Sequence, residues 1–151
     1  MRIWIFLCIV TVFLFAESKE KLFASYLYEC RHESANACTE VGFMYDKAIG
    51  VPKDDYLAIE YYQKGCTLGD QRGCVNVGVM WEKEQAGRTR DKQAIMQLFD
   101  TACQKAYGHG CYFLAISYEQ GRLTKKDIKQ AYRYYNLACA LEVKEACKHL
   151  K

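Results

Sequence analysis

The chain has 151 residues with 21 basic and 18 acidic side chains, a formal charge of +3. That balance argues against nucleic acid or an anionic lipid surface as an obligate partner. A single proline and a hydrophobic fraction of 51% point to one helical domain with no proline-rich linker.

The first sixteen residues stand apart. Arg2 precedes an apolar run from Ile3 to Phe15, followed by Ala16 and the polar stretch Glu17-Ser18-Lys19-Glu20. This is the pattern of a secretory signal peptide cleaved after Ala16, residues 1–16. The run is shorter than the roughly 20 residues that cross a bilayer. The mature chain is then 17–151, exported to the periplasm or the medium, with no membrane span. Cys8 leaves with the peptide, so the nine cysteines become an even number.

A cap helix over about 19–31 comes next. The remaining cysteines form four pairs, Cys30/Cys38, Cys66/Cys74, Cys103/Cys111 and Cys139/Cys147, each eight residues apart. The pairs recur after 36, 37 and 36 residues. Eight cysteines allow 105 connectivities in principle. A repeat selects the one in which every unit closes the same bond. A lattice of this period points to an all-α solenoid of helix–turn–helix repeats, clamped by disulfides in an oxidising compartment.

Three units follow, 38–73, 74–110 and 111–146, with a C-terminal half-repeat over 144–151. In each, the second cysteine is read as opening a helix. Three residues on stands Val41, Val77 or Leu114; four on, Gly42, Gly78 or Ala115; seven on, Tyr45, Trp81 or Tyr118. Those offsets share one helical face, the packed stripe. A connector holding Gly50, Gly87 or Gly121 leads to Asp54, Asp91 or Asp127, each placed to cap a second helix. That helix carries Ala58, Ala94 or Ala131, then Tyr61-Tyr62, Leu98-Phe99 or Tyr134-Tyr135, read as core.

Catalytic chemistry is scarce. Ser18-x-x-Lys21 matches a Ser-x-x-Lys pair formally, but the Ser-Asp-Asn and Lys-Thr-Gly elements that accompany it in serine β-lactamases are absent. His32, His109 and His149 share no ligand motif, so no metal is expected, and they read as surface histidines. There is no Cys-x-x-Cys and no glycine-rich phosphate loop, so no cofactor is expected.

The string Ala37-Cys38, Val41-Gly42, Tyr45, Gly50-Val51 and Ala58 to Cys66 resembles Sel-one-like repeats (SLR), relatives of the tetratricopeptide fold. The cysteine pairs resemble the secreted, cysteine-rich SLR proteins of Gram-negative bacteria. The resemblance covers residues 22–150, loosest in the central unit. It implies an adaptor that holds a protein, a peptide or a cell-wall-derived ligand such as a peptidoglycan fragment. It also implies an alternative, because members of this group often carry a β-lactamase label: a weak penicillin-binding or β-lactam-hydrolysing protein.

A binding surface follows from helical geometry. Offsets 2, 5 and 9 point away from the packed stripe at about 100° per residue. They are Glu40, Phe43 and Lys47; Asn76, Val79 and Lys83; Phe113, Ile116 and Gln120. Phe43, Val79 and Ile116 are expected to align as an apolar ridge, with Glu40, Asn76 and Phe113 giving selectivity, on a monomer.

Overall fold

The computed structural model describes residues 18–83 and 91–150. The signal-peptide reading of 1–16, Cys8 and the central connector with Gly87 lie outside them. Every described element is a helix. A helix over residues 18–31 (α1) is followed by three antiparallel pairs. These are α2 (Ala35–Lys47) with α3 (Asp55–Thr67), α4 (Gln71–Glu82) with α5 (Lys92–Gln104), and α6 (Gly108–Gln120) with α7 (Ile128–Ala140). The short α8 (Lys144–Cys147) and a 3-10 turn, Lys148–Leu150, form the half-repeat. From α2 onward each helix packs on the next, and first helices also meet across layers, α2 on α4 and α4 on α6. No described helix is long and apolar enough to cross a membrane.

One turn geometry joins the layers four times. The residue three beyond the first cysteine of each pair has positive φ: Glu33 at 64°, Gly69 at 106°, Ala106 at 59° and Glu142 at 66°. The next amide then reaches back to the helix that has just ended. Ser34 N bonds Glu29 O at 3.1 Å, Asp70 N bonds Gly65 O at 2.9 Å, Tyr107 N bonds Ala102 O at 2.9 Å and Val143 N bonds Ala138 O at 3.0 Å. This left-handed closure satisfies carbonyls orphaned at a helix end. Disulfides 30–38, 66–74, 103–111 and 139–147 bridge the same turns, with Cα–Cα distances of 4.6–4.8 Å.

The first helices begin three residues ahead of their cysteines rather than at them. The reason is local. The residue after the left-handed one is extended, and in two turns its side chain caps the helix. Ser34 accepts from Ala37 N, and Asp70 from Arg72 N. Second helices start as expected: Asp54 accepts from Tyr56 N and Leu57 N, Asp91 from Gln93 N, and Asp127 from Gln130 N.

The packed stripe is buried, with Val41 at 0%, Val77 at 1% and Leu114 at 2% exposure. Gly42 and Gly78 have a steric role. A Cβ on Gly42 would lie 2.7 Å from Tyr62 Cδ1, and one on Gly78 would lie 2.5 Å from Phe99 Cε1. Glycine therefore lets a whole ring lie against the first helix. The second member of each bulky pair, Tyr62, Phe99 or Tyr135, is buried. Burial of each such ring contributes about 1.5–3 kcal/mol. The first member sits at the edge: Tyr61 stacks on Tyr45 at 5.8 Å and Tyr134 on Tyr118 at 5.7 Å.

Candidate binding surface

Residues that point away from the packed stripe of α2 and α4 line two adjoining depressions. One, of about 150 Å³, is bounded by Phe43, Lys47, Asn76, Val79 and Lys83, with Asp46, Tyr62 and Met80. The other, of about 250 Å³, is bounded by Thr39, Glu40, Phe43, Arg72, Asn76 and Tyr107. Phe43 and Asn76 belong to both and form the wall between them. Phe43 is 40% exposed, which is high for a ring. Exposed apolar surface edged with charge is the usual form of an interaction site.

An ion-pair network ties the two helices beside this wall. Arg72 donates from Nη1 to Glu40 Oε1 at 2.8 Å and from Nη2 to Asp70 Oδ2 at 2.8 Å, with Asn36 Oδ1 as a further acceptor. Partial burial pushes the Asp70 carboxyl up, but hydrogen bonds from Arg72 and Thr39 outweigh it and hold the group below the ordinary aspartate range. The Arg72 guanidinium is raised in turn by its hydrogen bonds to Asp70 and Glu40. Glu40 therefore enters the surface as half of a neutral pair, not as a free negative charge. Burial raises the Tyr62 and Tyr107 hydroxyls, so both act as neutral phenols.

The residues expected to form the ridge divide. Phe43 is exposed, and Glu40 and Asn76 are half-buried beside it. Val79 is half-buried and also packs against the central core. Ile116 is half-buried against the C-terminal core, so it is not a free ridge residue. Phe113 departs furthest from its expected place: its ring stacks on Phe99 at 5.2 Å and 22°. Its helix reaches the next layer there, and a neighbouring ring claims it. Arg72 and Tyr107 escaped the helical pattern because they lie at layer turns. Asp70, two residues before Arg72, was the available signal.

The remaining candidates disperse. Ser18 and Lys21 are exposed on α1. His32 is hydrogen-bonded through Nδ1 to Tyr28 O at 2.8 Å, and His109 lies by Tyr107. His149 is less of a surface residue than its position in sequence suggests. Its ring stacks on Tyr135 at 4.1 Å, and Nδ1 is 3.6 Å from Glu119 Oε1. Among the described residues no group of three or more His, Cys, Asp or Glu is arranged to hold a metal.

The Sel1 repeat model matches residues 35–70 and 108–143, the α2–α3 and α6–α7 pairs with their closing turns. No curated protein is similar enough in sequence to count as a match. Among solved structures, a Sel1 repeat protein from Oxalobacter formigenes superposes with a TM-score of 0.81 at 21% identity, over 87% of this chain and 52% of that one. The protein c5321 of uropathogenic Escherichia coli, a protective antigen displaying an SLR fold, gives 0.78 at 17% identity, over 87% of this chain and 28% of that one. This chain thus spans about half of the first relative and about a quarter of the second. Cysteine rich protein B of Helicobacter pylori gives 0.67 at 23% identity, over 89% of this chain and 96% of that one. At these identities the likeness is one of fold. With its recurring helix pairs, its two matched repeats and a disulfide at every layer turn, the chain is a cysteine-rich Sel1-repeat protein.

Proposed function

We propose that this protein is an exported, monomeric binding module that holds an extended protein or peptide segment across the outward faces of α2 and α4. The observation that carries the reading is the exposed Phe43 ring, set with Asn76 between two depressions and flanked by Lys47, Lys83 and the Glu40–Arg72 pair. An apolar anchor within a polar rim is the usual anatomy of a hot spot. The four disulfides support an oxidising compartment, periplasm or medium. A peptidoglycan fragment is a narrower version of the same reading.

Capture from cell-envelope extract, followed by calorimetry on the captured partner, tests it. Phe43→Ala is expected to weaken binding by about 2 kcal/mol with the fold intact, because that ring belongs to no core cluster. A folded Phe43→Ala protein that captures its partner at full strength moves the site elsewhere. β-Lactam hydrolysis rests on the family likeness alone. Turnover of a chromogenic cephalosporin that is lost in Ser18→Ala would put that reading first.

A further inference from the structure

The three repeats differ at one place that their shared pattern makes visible. In α3, Tyr61 lies flat on Tyr45 of α2, and Lys64 Nζ donates to the Cys30 carbonyl at 3.0 Å. In α7, Tyr134 lies flat on Tyr118 of α6, with Leu137 at the position of Lys64. The central repeat has Leu98 and Thr101 at those two positions, opposite Trp81. Both side chains are smaller, and no second ring covers the place. What remains is a groove of about 350 Å³, lined by the Cys66–Cys74 disulfide, Trp81, Leu98, Gln97 and Thr101. On α4, Cys74 and Trp81 lie opposite Asn76, Val79 and Lys83, so this groove is separate from the surface proposed above.

We infer that the groove is a pocket for an uncharged aromatic ring, supplied by a tyrosine side chain of a partner protein. The flanking repeats show what this position accommodates, because each fills it with a tyrosine of its own. Ring pairs with centroids about 4.5–7 Å apart gain beyond simple area burial. The charge of the rim agrees. Gln97 stands where α3 has Glu60 and α7 has Arg133, and Thr101 where α3 has Lys64. A neutral rim offers no counter-charge, so an ionised group would lose hydration without return. A phenol buries its ring and keeps its hydroxyl among the carboxamide and hydroxyl groups at the edge.

The test compares N-acetyl-tyrosinamide with N-acetyl-leucinamide as NMR-monitored probes of the full oxidised chain. Both are then placed within an alanine pentapeptide. The tyrosine probes are expected to shift the Trp81 indole resonance and the leucine probes to leave it unmoved. The tyrosine pentapeptide is expected to bind more tightly than the free amide. Leu98→Tyr fills the groove from within, and should weaken binding about tenfold or more while the melting temperature holds or rises. Thr101→Lys changes an exposed position to the residue of the first repeat, and should weaken binding even if Leu98→Tyr fails to fold. No shift with the tyrosine probes, equal shifts with leucine, or wild-type binding by a folded variant overturns the pocket. A pentapeptide that binds no better than the amide overturns the protein partner.

Discussion

Gly78→Ala is expected to destabilise a helix that the same substitution would ordinarily strengthen. On an exposed helix, alanine gains about 1 kcal/mol over glycine. At Gly78 the added carbon would meet three atoms of one ring, Phe99 Cε1, Cζ and Cδ1, at 2.5, 3.0 and 3.2 Å. That ring is fully buried and stacked on Phe113, so it has little room to retreat. Overpacking of a filled core costs about 1–3 kcal/mol. With a 2.5 Å contact the cost belongs in the upper part of that range. The net loss is then about 1–2 kcal/mol, or a fall of about 4–8 °C in Tm. Circular dichroism melts with the disulfides intact measure it. Leu in place of Phe99 should relieve the clash, so Gly78→Ala is expected to cost less in a Phe99→Leu background than alone. A rise in Tm for the single variant would refute the claim that glycine sets the spacing of α4 and α5.

Backbone strain at the layer turns gives a second test. Ala106→Gly should stabilise by up to about 1 kcal/mol, since φ there is 59°, whereas Gly69→Ala should destabilise by a similar amount although its Cβ would meet nothing within 4 Å. Equal and opposite shifts in urea midpoints are the expected result. Replacing both Cys103 and Cys111 by alanine should cost about 2.5 kcal/mol by opening a nine-residue loop, and a loss under about 1 kcal/mol would mean the turn holds without its clamp. The Asp70 carboxyl is held low in the folded protein, so its contribution is present above the unfolded pKa and lost as pH falls through the folded one. Asp70→Asn keeps a helix cap but removes the charge. It should lower stability at neutral pH, with the difference from wild type closing in acid.

Much of the architecture was legible before any coordinates. The cysteine period identified the layers, because one bond per repeat is the pairing that a periodic chain can form at every layer. Asp54, Asp91 and Asp127 marked the second helices, since an aspartate ahead of an apolar run satisfies orphan amides wherever it occurs. Offsets 3, 4 and 7 identified the packed stripe because helical geometry alone puts them on one face. The tertiary structure decided what arrives from the next layer. Periodicity says which side of a helix is free of its own partner, but not which residue of a neighbouring repeat will cover it. Phe113 therefore read as outward and is stacked on Phe99, while Arg72, 32 residues from Glu40, gave no periodic sign of the pair it forms. The central groove was present in the sequence as Leu98 and Thr101, but only packing shows that two smaller side chains leave a space rather than letting the helices close over it. Disulfides and backbone turns hold the repeats at a common spacing, so a missing ring becomes a cavity.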